Sequence, residues 1–235
     1  MRYKQTAIGI AWVVLQPLAA AAIFTVIFGR LAQLPSEGIP YAVFVFSGVV
    51  LWNYFSGAVD LAAQSLVQQR DLVTKVAFPR LLAPLAAILP GLVDLAVSLV
   101  LVAVFMVAYG VVPSLALLTL PLWIVATATL ALGAGACLSA LNVRYRDVRH
   151  TLGFLIQVWF FATPIVFSPS LIEGSWRFVF GLNPMVGVVE GYRWSLLAAP
   201  APGIEALVSL GSGLLLVVGG IVYFRRAEQG FVDVI

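Results

Sequence analysis

QQRDLVTKVAFPRLLAPLAAILPGLVDLAVSLVLVAVFMVAY, residues 68–109, sets a short polar block against a run, residues 81–109, in which Asp94 is the only charge. A helix of that length rises about 1.5 Å per residue and exceeds the roughly 30 Å hydrocarbon core of a bilayer. A barrel strand would instead alternate apolar and polar residues over about 10 positions. The run is continuous, so the spacing predicts a transmembrane helix entered from a charged segment.

Working outward from this stretch, apolar runs recur along the whole chain. Spans are predicted over 7–28, 41–64, 81–109, 115–141, 151–167 and 206–224. Residues 1–235 then form a single all-α membrane domain of six transmembrane helices, with no internal repeat and no water-soluble domain. Hydrophobic residues make up 62% of the sequence and charged residues 10%, against about 25% charged in a soluble domain. Arg2 and Lys4 before an apolar run resemble a signal peptide. That run continues past Ala22 through Phe28 without a charge, longer than the roughly 7–15 residues of a signal core, so an uncleaved first span is expected.

Orientation follows from the gaps. Arg2, Lys4, Arg70, Lys75, Arg80, Arg144, Arg146, Arg149, Arg225 and Arg226 fall on one side of the spans, and Arg30, Arg177 and Arg193 on the other. Lysine and arginine beside a span resist translocation, which predicts both termini in the cytoplasm of a cell whose inner membrane holds the chain. The same placement explains the net charge of +3 without nucleic acid.

Two cytoplasmic segments carry most of that charge. Residues 68–80 read as a short helix with Asp71 and Lys75 on one face, Leu72, Val73 and Val76 on another, and Pro79 as its stop. Such a stub can dock a soluble partner or anchor at lipid headgroups. The loop Asn142–His150 holds Arg144, Arg146 and Arg149 around Asp147, which predicts topology enforcement, anionic-lipid contact and a local ion-pair network. Prolines at 17, 90, 121 and 164 predict kinks, tolerated where neighbours satisfy freed carbonyls.

The segment 168–203 is too long for a turn and too apolar for an exposed loop. Asn183 and Pro184 read as N-cap and first helical residue. Met185, Val188, Val189, Tyr192, Leu196 and Ala199 then share one face, with Glu190 and Arg193 paired on the other. About 15 residues of helix cannot span. A re-entrant helical pair on the non-cytoplasmic side is expected, with a partner helix around 171–182.

Metal and catalytic chemistry find little support. His150 is the one histidine and Cys137 the one cysteine, so no histidine-rich metal site forms, and Cys137 reads as a small buried hydrophobe. No phosphate-binding G-x-x-x-x-G-K-[ST] loop occurs, and no nucleophile–base or paired-carboxylate arrangement is visible; the chain does not read as an enzyme. Asp60 and Asp94 are ionisable groups inside spans: Asp94, near mid-span, is expected to be protonated, hydrogen-bonded to a neighbouring helix or functional, whereas Asp60, nearer the cytoplasmic interface, can snorkel to water. Most of the aromatics fit a membrane-interface belt and core packing. Trp52, Tyr54 and Phe55, with Trp159, Phe160 and Phe161, lie deeper and could stack on sugar rings.

Several blocks, in order, resemble a known family. Arg2-Tyr3-Lys4-Gln5-Thr6 with Gly9, Trp12 and Gln16-Pro17 opens the match, and Lys75–Arg80 through Pro84 follows. Leu141–Val148, then Ala162-Thr163-Pro164-Ile165, then Leu182-Asn183-Pro184-Met185 complete it. The pattern resembles permease subunits of ABC exporters for polysaccharide and O-antigen, the Wzm-like type-2 permeases. The resemblance implies a homodimer of six-span subunits with two copies of a separate cytoplasmic ABC ATPase. ATP and Mg would sit on that partner, with no cofactor on this chain. It also implies lipid-linked O-antigen or teichoic-acid-like polymer as substrate. On this basis Gln69, Arg70, Asp71, Leu72, Val73, Lys75, Phe78, Pro79 and Arg80 would couple to the ATPase. Trp12, Phe24, Phe44, Trp52, Tyr54, Phe55, Trp159, Phe160 and Phe161 would line a glycan path. Asn183, Pro184, Glu190, Tyr192 and Arg193 would belong to a periplasmic gate. Family members carry an interfacial helix before the Arg-Tyr-Lys block; here Met1 abuts it, so either the start is trimmed or that helix is missing. A drug or small-lipid efflux permease of the same architecture is the competing expectation, and a proton-coupled carrier using Asp94 a further one.

Overall fold

The computed structural model describes residues 9–69, 78–145, 147–172, 174 and 176–228, with side chains from Leu15 onward. Among the described residues the chain forms helices and turns, without a strand. Helix α1 spans Gly9–Phe24 and runs on as a π-helical segment, Thr25–Leu31. Helix α2 is Tyr41–Gln68; α3, Leu82–Ile88, and α4, Pro90–Ala108, follow as one rod interrupted at Leu89. A 3-10 turn at Leu115–Thr119 leads into α5, Leu120–Arg144. Then come α6, Val148–Phe161, a 3-10 turn at Pro169–Leu171, α7, Trp176–Gly181, α8, Pro184–Leu197, and α9, Ile204–Glu228.

Among the described residues, four helical segments are long and apolar enough to cross a membrane: Tyr41–Gln68, Leu82–Ala108, Leu115–Arg144 and Ile204–Glu228. They correspond to the second, third, fourth and sixth predicted spans. The first is represented by the shorter apolar helix Leu15–Leu31. The predicted fifth span differs most: α6 stops at Phe161 and the chain from 162 to 168 is not helical. Fourteen residues reach only about 21 Å, short of a hydrocarbon core.

The prolines divide by position. Pro17 lies inside α1, whereas Pro90 opens α4 after the break at Leu89, where its missing N–H and its ring disrupt the preceding turn. Pro121 sits in the first turn of α5, where the absent N–H costs nothing, so the expected kink there does not occur. Pro164 falls in the unwound stretch after α6. The expected loop Asn142–His150 is mostly helix, because α5 continues to Arg144 and α6 begins at Val148. Asp147 serves this junction through its backbone carbonyl, which accepts from the His150 and Thr151 amides; Arg144 lies 5.5 Å from the Tyr145 ring centre, and Arg146 is outside the described residues.

The bundle is built around α2. Of its apolar window 78% is buried, against 22% for each of the other three long helices. Small residues bring its neighbours close: a Cβ on Gly135 of α5 would collide with the Ala62 methyl of α2, and one on Gly220 of α9 with the Gly133 carbonyl of α5. Lipid tails offer no hydrophobic drive between helices, so such close backbone approach provides the packing. Asn142 Nδ2 adds a hydrogen bond to the Ala63 carbonyl, 3.1 Å away, tying α5 to α2. At the same end, Leu66, Ala83, Ala136, Ala140 and Phe224 form a second buried cluster, with Phe78 and Leu81 against it.

Gly220→Leu is expected to destabilise the chain by about 1–3 kcal/mol, the usual cost of overpacking a tight contact. Gly219→Leu, whose added carbon would meet nothing within 4 Å, is expected to leave thermal unfolding in detergent unchanged.

Candidate functional site

The helix break after Phe161 exposes backbone that a low-dielectric interior cannot leave unpaired. The fold satisfies these carbonyls one by one from other elements. The Ala162 carbonyl accepts from Asn183 Nδ2 at 2.8 Å. Those of Pro164 and Ile165 accept from Arg193 Nη1 and Nη2, each at 2.6 Å. That of Val166 accepts from the Tyr41 hydroxyl at 2.6 Å. Within the segment itself, the Thr163 carbonyl accepts from the Ile165 amide at 2.7 Å.

Asn183 is the hub on one side. Its Oδ1 caps α8 by accepting from the Met185 amide at 3.0 Å and also accepts from Trp159 Nε1 at 2.8 Å. Its Nδ2 reaches Thr163 Oγ1 at 3.0 Å as well. The Asn183 carbonyl accepts from Ser209 of α9 at 2.7 Å, and the same hydroxyl accepts from the Gly187 amide at 2.8 Å. A single residue therefore joins α6, α8 and, through Ser209, α9.

Arg193 is the hub on the other. It is 3% exposed, and besides its two carbonyl bonds its Nη2 donates to the Phe44 carbonyl of α2 at 3.1 Å. Its guanidinium carbon lies 3.6 Å from the Phe44 ring centre. Carbonyl dipoles and an aromatic face thus surround the buried charge. The expected Glu190–Arg193 pair does not form: Nη1 and Nη2 are both taken by carbonyls, and Glu190 Oε1 and Arg193 Nε make no hydrogen bond. Nor does α8 present one polar face, since Val186, Gly187, Gly191, Arg193 and Ser195 are buried with Met185, Val188, Val189, Tyr192 and Leu196. A helix enclosed by α5, α9 and α2 has no solvent face on which to place a charge pair.

Gly48 makes the clasp possible. A Cβ there would stand 2.6 Å from Arg193 Nη2 and 3.2 Å from the Ile165 carbonyl. The sequence pattern marks neither Gly48 nor Ser209. A Cβ on Gly57 of the same helix would meet nothing within 4 Å, and only three-dimensional packing distinguishes the two glycines. Tyr41, an aromatic at a span end by its sequence position, is the third residue whose role local pattern does not reveal.

Six of the nine proposed channel aromatics come together beside this break. Phe24 stacks on Phe160 at 5.9 Å between centroids, and Phe160 meets Phe161 at 5.3 Å and Trp52 at 5.6 Å. Trp159 contacts Phe55 at 5.0 Å and Trp52 at 6.4 Å. Phe28 joins through Phe24. Trp52 and Phe55 are buried, whereas Phe161 is 58% exposed. Phe44 lies elsewhere, under Arg193, and Tyr54 lines a cavity with Asp94. The side chain of Trp12 is outside the described residues.

Of the proposed coupling residues, Arg70, Asp71, Leu72, Val73 and Lys75 also lie outside the described residues. Gln69 closes α2, its amide donating to the Ser65 carbonyl at 3.1 Å. Phe78 packs on the cluster containing Leu66 and Phe224, and the Pro79 carbonyl accepts from the Leu82 amide at 2.9 Å. Arg80 Nη1 donates to the Glu228 carbonyl at 2.6 Å, and its amide to Glu228 Oε1 at 3.3 Å. Among the described residues no group of three or more His, Cys, Asp or Glu side chains could hold a metal ion.

Arg193→Gln leaves at least one of the two carbonyls unpaired, at about 1–3 kcal/mol for each orphaned group. Its thermal unfolding in detergent is expected several degrees below the parent. Arg193→Lys is expected to fail similarly, because an ammonium lacks the planar fork, and Gly48→Ala to match both.

Comparison with known proteins gives this geometry a context. The family model for the ABC-2 type transporter matches residues 1–197. An O-antigen export system permease protein, RfbA, of Myxococcus xanthus is 30% identical over 97% of this chain and 88% of its own length. A Klebsiella pneumoniae protein of the same name is 24% identical over 100% of the chain and 90% of its own length. With the family model covering residues 1–197 and a relative 30% identical over nearly its whole length, the chain belongs to the ABC-2 type transporter family.

Proposed function

We propose that this chain is the membrane-spanning subunit of an ATP-driven exporter that moves lipid-linked polysaccharide, O-antigen or teichoic-acid-like, across the inner membrane. The observation that carries this reading is the near full-length similarity to O-antigen export permeases, joined to family membership. The chain works as a homodimer with two copies of a cytoplasmic ABC ATPase, on which ATP and Mg are bound. The absence of a phosphate-binding loop from residues 1–235 is consistent with that division of labour.

In this reading the seam of the dimer lies on the aromatic side of the chain. Phe154, Leu155, Val158 and Phe161 of α6 and Ile23, Val26 and Leu31 at the end of α1 are exposed. A second copy across these faces would bring two aromatic walls together. Trp159, Phe160 and Phe161 of each copy would then flank a path on which sugar rings stack face to face with aromatics, with Trp52 buried behind them. Such contacts tolerate sliding, since a stacked ring holds no fixed hydrogen-bond register.

ATPase closure enters at residues 69–80. The downstream end of that segment is anchored twice, by Phe78 on the Leu66–Phe224 cluster and by Arg80 on Glu228. A push there passes into α2, α3 and α9 together. Helices α9 and α8 share the Ser209 bonds to Asn183 and Gly187, so displacement of α9 reaches the α7–α8 pair. In this reading that pair is a re-entrant gate at the periplasmic face, and Asn183, Pro184, Glu190, Tyr192 and Arg193 hold its position.

Deleting the gene is expected to abolish surface polysaccharide and accumulate lipid-linked polymer inside the cell, restored by the chain together with its ATPase. Intact surface polysaccharide with raised drug sensitivity would instead indicate a small-molecule efflux permease. Phe161→Ala is expected to slow export several-fold with normal protein levels, measured by surface polysaccharide per cell. Replacing Asp71, Leu72 and Val73 together is expected to abolish ATPase co-purification while leaving the detergent melting temperature unchanged.

A further inference from the structure

Three carboxylates from three elements line one cavity of about 180 Å³ beside the clasp: Glu37 before α2, Glu190 of α8 and Glu205 of α9. Two of them have a place for negative charge. The Ser168 hydroxyl donates to Glu37 Oε1, and Glu205 sits in the first turn of α9, where the helix dipole favours an anion. Glu190 has neither advantage. It is half-buried in the middle of α8, and its Oε1 is enclosed and makes no hydrogen bond. Burial, reinforced by Glu205, pushes its carboxyl up to about 7 against the opposing pull of Arg177 and Arg193.

Arg193 stands three residues further along the same helix, borders the same cavity and carries the positive charge of the clasp. Its Nη1 and Nη2 donate to the carbonyls of Pro164, Ile165 and Phe44, while its Nε makes no hydrogen bond. Two sets of acceptors thus compete for one guanidinium: the neutral carbonyls that it holds, and a carboxyl at the three-residue spacing of helix neighbours. A carboxylate is the stronger acceptor once ionised. The charged groups facing Glu190 are Glu205 of α9, Arg177 of α7, Arg193 of α8 and Glu37 of the loop before α2. Tyr41 of α2 and Tyr192 of α8 are the other titratable side chains around Arg193. Residues 115–136 and 151–170, from the neighbouring elements, contribute none.

We propose that Glu190 is a proton-operated switch on the clasp. Neutral, it leaves Arg193 on the three carbonyls, and the unwound segment 162–168 stays fastened to α2 and α8. Ionised, it draws the guanidinium to itself, and the Pro164 and Ile165 carbonyls lose their donors. The segment then loosens from α2 and α8, held to α2 by the Tyr41 bond to the Val166 carbonyl. The absence of a Glu190–Arg193 pair is the neutral arrangement. This assignment rests on the clasp and stands independently of the transported substrate.

A carboxyl that holds its proton more tightly in the native state than in the unfolded chain adds stability at low pH. That contribution is complete below the unfolded value of 4.5 and is lost as pH rises to about 7. The test is thermal unfolding and hydrogen exchange of the purified full-length chain in detergent from pH 5 to 8. A His150→Asn background removes the one histidine. The melting temperature is expected to fall by several degrees from pH 5 and to level off above about 7. Protection of the amides in 162–168, corrected for intrinsic exchange, is expected to fall several-fold over the same range. Glu190→Gln is expected to keep the low-pH values throughout, and Glu190→Met carries the comparison should the glutamine variant not fold. Glu205→Gln is expected to level off at lower pH, and Glu173→Gln to follow the parent. A flat parental profile would overturn the proposal, as would a fall that persists in Glu190→Gln or one that Glu173→Gln alone removes.

Discussion

A helix that ends among apolar side chains leaves up to four carbonyls without partners, and in a membrane water does not supply them. After Phe161 this chain accepts that cost and then offsets it with side chains from other elements. Tyr41 comes from the first turn of α2, Asn183 from the cap of α8, and Arg193 from the body of α8. Each bond constrains two elements at once, so the unwound backbone becomes the fastening between α6, the central helix and the α7–α8 pair.

The fastening has consequences for what surrounds it. The Arg193 guanidinium can sit over the Phe44 ring because Gly48, one turn along α2, leaves room for Nη2. Asn183 serves both α6 and α9 because its side chain bonds Trp159 and the Ala162 carbonyl while its backbone carbonyl accepts from Ser209. The aromatic cluster is linked to the same device through Trp159, whose indole N–H is held by Asn183 while its ring meets Phe55. The clasp and the aromatic cluster therefore share Asn183.

Helix α8 marks the boundary of what local rules decide. Helical spacing placed Met185, Val188, Val189, Tyr192, Leu196 and Ala199 on one face; the first five are buried, whereas Ala199 lies beyond the helix end at Leu197 and is half-buried. The Asn183 cap and Pro184 start follow from local rules, and both are present. Glu190 and Arg193 also obey a local rule, three apart on a helix. That rule failed because it assumes a solvated face, whereas α8 is enclosed. The aromatics divide similarly: depth along the span grouped Tyr54 with Trp52 and Phe55, and the family resemblance added Phe44, but rotation about the α2 axis sends Tyr54 and Phe44 to other neighbours.

What the sequence by itself determined is the set of long apolar helices, the charge asymmetry between their ends, the helix start at Asn183, and the blocks that mark the family. These depend on composition and spacing within one segment. The tertiary structure alone decided that α6 stops at Phe161, that Arg193 binds carbonyls and not Glu190, and that Gly48 matters where Gly57 does not. The physical reason is that a buried donor is satisfied by whatever acceptor packing brings within about 3 Å, and here those acceptors lie far away along the chain.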